Sequence, residues 1–225
     1  MNSLELILKI AQISPTIGCF SFHKFPKQQL VQESDISWSK NEQFMFEKAL
    51  ELKKSGLPFW DGIMLSAFNN PNYSEKLLEK ALRHNSHPRL TYVPKERLAS
   101  WIEDQAQDID RYAFCSKVVM ANEEEWHLPL LDFHIPVSET NVRIVESVCR
   151  LLGHLKGWIL NSGESYHFIG EIPISYHDLE QMLYRALMYT PIIDKAWISH
   201  QLREKSCSLR IGKKNGLYPE VVMKL

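Results

Sequence analysis

Apolar positions recur along this chain with two spacings, and the changes between them predict its elements. Leu4, Leu6, Ile7, Ile10 and Ala11 follow the helical period and predict a first helix that stops near Pro15. Ile17 to Phe22 is β-branched and aromatic and reads as a strand. Lys27 to Asp35 reads as a polar loop. Ser39 or Asn41 can cap a helix to Lys54 with Phe44, Phe46, Ala49, Leu50 and Leu52 as its apolar face, and Gly56 follows as a stop. Phe59 to Phe68 reads as a strand. Tyr73 to His84 reads as a helix with Ser74 as its cap and Leu77, Leu78, Ala81 and Leu82 facing inward, and Pro94 opens another through Gln105.

Beyond residue 108 strand-like runs dominate. Arg111 to Met120 and Trp126 to Ile135 flank the polar turn Ala121 to Glu125 and predict a hairpin. Pro129 interrupts the second run, which marks an edge or a bulge. Ser138 caps a helix over Glu139 to Gly153, with Val142, Val145, Val148, Cys149 and Leu152 as its buried stripe. Trp158 to Leu160 and Ser165 to Gly170 pair around the turn Asn161 to Glu164. Helices follow over Asp178 to Tyr189 and Asp194 to Glu204. Cys207 to Ile211 and Pro219 to Met223 are strands around Asn215-Gly216, a strong hairpin signal. The fold class predicted is α+β: an antiparallel sheet with helices on one face over residues 109–225, and a packed N-terminal α/β unit over residues 1–108. The boundary is soft, and the two halves are expected to interlock as one domain.

Composition narrows the function classes. The chain has 225 residues, of which 44% are hydrophobic and 24% charged, so it can bury a sizeable core and disorder is not the default. A formal net charge of -1 gives no global basic bias, so any nucleic-acid contact must use a local patch. Cys19, Cys115, Cys149 and Cys207 lie far apart without a CxxC pair, which argues against a zinc site and fits buried thiols in a reducing compartment. No apolar run is long enough to span a membrane, and Met1 to Ser14 lacks the marks of a signal peptide, so a cytoplasmic location without membrane contact is expected.

Three groups of residues could carry chemistry. Asp132 and His134 are two apart in a strand-like run and project to one face, where they could hold a divalent metal or form an ordinary polar edge. Ser165 and His167 repeat that spacing after Gly163, so both could donate to a phosphate oxygen, or the segment could be a plain turn with a core histidine. Asp194, Trp197, His200 and Arg203 belong to one helix, with Arg210 on the next strand. Two guanidiniums suit a polyphosphate, and a surface helix with ordinary ion pairs suits the same pattern. Glu123, Glu124 and Glu125 read as a solvated turn. His84 and His87 lack metal-ligand partners, Cys115 and Cys149 lack a nucleophile's surroundings, and P-loop, GxGxxG and GxSxG runs are absent.

The order of these signals carries more than each alone. A hairpin strand with an acidic motif, a helix, a strand and then a strand with Ser-x-His resembles the archaeo-eukaryotic primase superfamily, whose core is similar to an RNA-recognition-type sheet. The stretch Ile193 to Arg203 with Ser208-Leu209-Arg210 resembles the C-terminal part of small bacterial primase-polymerase-like proteins. The resemblance covers residues 111–225. It implies a metal-dependent nucleotidyltransferase that starts or extends a nucleic-acid strand. Its implied partners are a nucleoside triphosphate, single-stranded or primed nucleic acid, and neighbouring replication or defence proteins. Asp132 and His134 would be the catalytic and metal-binding pair for Mg²⁺ or Mn²⁺, and Ser165, His167, Arg203 and Arg210 would bind the nucleotide. The family's motif has Asp-x-Asp or Asp-x-Glu, so His134 stands where a carboxylate is expected. Asp194 and Glu171 are the candidates for a third acidic position. The alternative is a catalytically inactive member that binds a nucleotide or nucleic acid, or acts as a scaffold.

Overall fold

The structure is a computed structural model that describes residues 1–25, 39–68, 73–83, 90–153 and 155–225. In chain order its elements are α1 (Ser3–Ile13), β1 (Ile17–Lys24), α2 (Lys40–Lys54), α3 (Phe59–Ser66), α4 (Glu75–Arg83), β2 (Leu90–Pro94), α5 (Leu98–Asp104), β3 (Tyr112–Met120), β4 (Glu125–His127), β5 (Leu130–Asp132), α6 (Glu139–Leu151), β6 (Gly157–Asn161), β7 (Tyr166–Gly170), α7 (Tyr176–Ala186), α8 (Lys195–Glu204), β8 (Ser208–Arg210) and β9 (Glu220–Lys224). The chain is thus α+β, as its pattern predicts. It divides into two compact units, Met1–Pro26 with His87–Leu225, and Lys27–Ser86. The division does not fall near residue 108, because β1 and β2 pair into the same sheet as β3. The loop expected over Lys27 to Asp35 lies outside the described residues.

The larger unit holds two antiparallel sheets. One runs β2-β1-β3-β4, with β8 also on β3, and the other runs β5-β7-β6-β9. Along one edge of β3, β8 pairs with Ala113 to Cys115 and β4 pairs with Lys117 to Val119. Ser116 fills the junction. Its N–H donates to the Cys207 carbonyl at 2.7 Å, its carbonyl accepts the Leu128 N–H at 2.7 Å, and its Oγ accepts the Cys207 N–H at 2.8 Å. The same Oγ lies 3.0 Å from His127 Nδ1, so this buried junction leaves its polar groups paired.

The run Trp126 to Ile135 is therefore two short strands in different sheets, not one. Pro129 sits where the chain leaves β4 for β5. Proline has no N–H to give a ladder, while its carbonyl accepts the Gly170 N–H at 2.7 Å, so the crossover wastes no donor. The Asn215-Gly216 turn forms as predicted, with φ of 54° and 81° and paired bonds between Lys214 and Leu217. Its flanking strands do not pair with each other, because β8 joins β3 and β9 joins β6. The turn is a bridge between sheets rather than a hairpin tip.

One continuous core links both sheets and the helices around them. It includes Leu6 and Ile7 of α1, Phe20 and Phe114 of the first sheet, Ile159 and Phe168 of the second, Val145 of α6, Leu183 of α7 and Ile198 of α8. Cys115, Cys149 and Cys207 are buried within this unit as free thiols, and burial raises the pKa of each.

The smaller unit packs α2, α3 and α4 around Met45, Ala49, Ile63, Leu77 and Ala81. Here the strand expected over Phe59 to Phe68 is the helix α3. Its apolar positions also satisfy a helical reading, and Gly62 brings its backbone against Ala49, where an added Cβ would meet the Ala49 Cα at 3.0 Å. The buried face of α2 is Met45 and Ala49, and Phe44, expected inward, is exposed.

Candidate functional site

The site begins with one rung of a ladder. β5 and β7 pair so that Asp132 stands opposite His167. The carboxylate Oδ1 lies 3.5 Å from His167 Nε2, with the Asp132 side chain 28% exposed and that of His167 only 8%. Short β5 ends there, and its backbone is tied onward by the Phe133 N–H to the Tyr166 carbonyl at 2.9 Å. Below the site, Tyr166 Oη both accepts the Ser138 N–H and donates to the Ser138 carbonyl, each at 2.8 Å, which fixes the start of α6 against β7.

Asp194 enters from the start of α8. Its N–H donates to the Asp132 carbonyl at 3.1 Å. Its Oδ1 caps the helix by accepting from Ala196 N at 2.8 Å and Trp197 N at 3.0 Å, which leaves Oδ2 outside the cap. The helix is held to β8 by the Trp197 indole N–H on the Ser208 carbonyl at 3.0 Å, with the Ser208 N–H on Gln201 Oε1 at 2.8 Å.

β8 then delivers Arg210. One terminal nitrogen donates to the Gly212 carbonyl and the other to the Ser162 carbonyl at 2.8 Å. The guanidinium therefore staples the β6–β7 turn to the chain that follows β8. Across from it, Lys214 Nζ meets Glu164 Oε2 at 2.8 Å. Within the turn, Ser162 Oγ and Ser165 Oγ are 3.2 Å apart.

Electrostatics mark Asp132 and His167 as unusual. Burial, reinforced by the neighbouring Asp194 carboxylate, pushes the Asp132 pKa up to about 7 against the opposing pull of Arg210 and Lys214. Burial, reinforced by those same two cations, pushes His167 down to about 3. At neutral pH the imidazole is uncharged, so its approach to Asp132 is not an ion pair. Burial also lowers the pKa of Arg210, against the raising effect of Asp132, Asp110 and Glu164. Two carboxylates, a neutral histidine, two hydroxyls and two cations thus share one region. Such a set can receive a polyanion and discriminate protonation states near neutrality.

The predicted residues separate into three cases. Asp132, His167 and Arg210 come together, and Ser165 is joined to them through Ser162, whose Oγ lies 3.2 Å from its own and whose carbonyl Arg210 holds. His134 is exposed one residue past Phe133, with its N–H on the Ile192 carbonyl at 2.7 Å. Arg203 is exposed on α8 and is not among the charges that act on Asp132 or His167. Of the two acidic candidates, Asp194 lies beside Asp132, whereas Glu171 follows the far end of β7 and pairs with Lys224 at 3.4 Å. Among the described residues, no group of three or more His, Cys, Asp or Glu side chains is placed to hold a metal ion. Lys214 was not foreseen. The signal is two lysines before an Asn-Gly turn, but a hairpin reading of that turn does not bring Lys214 to the β6–β7 turn.

A family model described as archaeo-eukaryotic primase 1D-like covers residues 95–223, more than half of the chain, and the chain belongs to that family. The matched stretch contains Asp132, His167, Asp194, Arg210 and Lys214. No curated protein and no solved structure matches the chain. Among the described residues, no helix is long and apolar enough to cross a membrane.

Proposed function

We propose that the chain binds a nucleoside triphosphate at the Asp132–His167 rung and uses it for nucleotidyl transfer to a nucleic-acid strand. The observation that carries this reading is the meeting of Asp132, His167, Asp194 and Arg210 from four separate elements in a family whose members resemble primases. The phosphates lie toward Ser165, His167 and the two cations. Neutral His167 donates a hydrogen bond without a titration step near pH 7, and Arg210 fixes the turn that presents Ser165. In the transfer, a strand's 3′ oxygen bonds to the α-phosphorus, the bond to the bridging oxygen breaks, and diphosphate leaves with that electron pair. The hydroxyl proton is released to water. Positioning and charge stabilisation supply most of the catalysis in such a reaction.

Asp132 and Asp194, whose Oδ2 stays outside the helix cap, would offer a hard divalent cation such as Mg²⁺ or Mn²⁺ the carboxylate oxygens it prefers. Asp132 and Asp194 would hold it, and it would neutralise phosphate charge. His134 and Arg203 are left as surface contacts for the template or primer strand.

The second reading is a member that binds nucleotide or nucleic acid without turnover, alone or as a scaffold for replication or defence proteins. It is favoured by the absence of a three-donor metal group among the described residues and by two cations acting on Asp132. Primer extension with radiolabelled nucleotides, run beside filter binding, separates the two. Incorporation by the wild type, lost in Asp132→Ala and His167→Ala, supports the enzyme. Retention of label without incorporation supports the binder. Neither binding nor incorporation by a folded sample rejects both.

A further inference from the structure

We propose that the Glu164–Lys214 ion pair is a clasp over the phosphate side of this site, in which Glu164 holds the place of a phosphate and gives up Lys214 when a polyphosphate binds. The inference rests on the nucleotide reading above and adds a built-in competitor to it. Its basis is how the β6–β7 turn and the segment that bridges β8 and β9 are brought face to face. The Asn161–Glu164 turn is acidic at its tip, and the segment 212–217 is basic.

The second segment is held in place independently of the clasp. Lys213 N donates to Asp110 Oδ1 at 2.6 Å, and Gly212 passes so close to Asp110 that an added Cβ would lie 2.2 Å from its Cα. Lys214 and Leu217 close the turn through their backbones. Lys213 is turned aside, with its ammonium 5.1 Å over the Tyr218 ring. Arg210 ties Gly212 to Ser162 from within. What remains between the two tips is the Lys214–Glu164 contact, with side chains 51% and 71% exposed. So exposed a pair contributes little to folding. Yet Lys214 is near enough to act on both Asp132 and His167.

A triphosphate offers several charges where Glu164 offers one, so exchange at Lys214 favours the ligand. Displacing Glu164 costs every ligand that takes Lys214 the same factor in affinity, and a nucleoside, which brings no phosphate to Lys214, escapes that cost.

The test measures binding of a nucleoside triphosphate, the corresponding monophosphate and inorganic tripolyphosphate by calorimetry at low salt. Glu164→Gln should tighten the triphosphate and tripolyphosphate by about threefold to tenfold, the monophosphate by no more than that, and the gain should shrink as salt screens the site. Lys214→Ala should weaken binding, and adding Glu164→Gln to it should give a smaller gain than in the wild type. Glu146→Gln neutralises a half-buried α6 carboxylate that pairs with Arg143 and Arg150 and does not contact Lys214, and should leave the three affinities unchanged. If the wild type binds triphosphate and Glu164→Gln does not tighten it, or Glu146→Gln tightens it equally, the clasp is wrong and the nucleotide reading stands. If neither wild type nor Glu164→Gln binds any of the three ligands, both fall.

Discussion

Replacing Asp132 by Asn should stabilise the protein at pH 8 and leave it nearly unchanged at pH 5. The carboxyl is raised from 3.8 to about 7, chiefly by burial and then by Asp194. Between about pH 4 and pH 7 the folded chain keeps a proton there that the unfolded chain has released. Stability therefore falls as pH rises through that window. The full cost, reached above pH 7, is on the order of 4 kcal/mol. His167 acts with opposite sign. Its pKa is lowered from 6.5 to about 3, so between about pH 3 and pH 6.5 the unfolded chain takes up a proton that the folded chain does not. That contribution makes stability rise with pH. In the wild type the two slopes oppose each other over most of the acidic range, and a flat profile hides both.

Asn keeps the shape of a protonated carboxyl but cannot ionise. At pH 8 it removes the Asp132 cost, which corresponds to a rise in Tm of roughly 8 to 16 °C for a chain of this size. At pH 5 the wild-type carboxyl is already neutral and the substitution has little to relieve. It also unmasks the rising slope from His167. Urea unfolding of both proteins from pH 4 to pH 8, followed by Trp fluorescence, reads all three effects. Equal destabilisation by Asn at both pH values would refute the reasoning. It would mean that Asp132 is an ordinary ionised group whose charge the fold needs.

Other expectations follow from single contacts. Ser116→Ala leaves the Cys207 N–H and His127 Nδ1 without their partner in a buried junction, and should cost about 1–3 kcal/mol in urea unfolding while nucleotide affinity stays unchanged. Tyr166→Phe removes two 2.8 Å bonds to Ser138 and should lower stability by about 1–3 kcal/mol. Hydrogen exchange should show the loss concentrated in the first turn of α6. Gly212→Ala cannot be accommodated against the Asp110 backbone without moving the segment that carries Lys214. It should weaken triphosphate binding in calorimetry even in samples that remain folded.

The parts of this fold that were legible in the sequence were those set by local chemistry. Ser39, expected as a cap, begins α2 with reciprocal capping bonds to Glu42, and Ser138, also expected, caps α6 by accepting the Asn141 N–H. What was not legible depended on partners far away in sequence. Phe59 to Phe68 offers apolar positions to either period, and only packing of Gly62 against Ala49 decides for a helix. The split of Trp126 to Ile135 is decided by Ser116 and Gly170, which capture the backbone on either side of Pro129. The same limit shaped the site. Asp132 and His167 were recognisable as members of separate motifs, but their opposition is a fact of register. Strand alternation grouped His134 with Asp132, whereas β5 ends at Asp132 and Asp194 supplies the adjacent carboxylate. Lys214 enters because β8 and β9 belong to different sheets, which an Asn-Gly turn alone does not indicate.

The most direct test of the central claim is calorimetric titration of the wild type with a nucleoside triphosphate, with and without Mn²⁺ or Mg²⁺, beside Asp132→Ala and His167→Ala. The account predicts saturable binding that a divalent cation strengthens, with the cation's effect lost in Asp132→Ala and the affinity reduced at least tenfold in His167→Ala. Binding of equal strength in all three proteins, or none in a folded wild type, would contradict it.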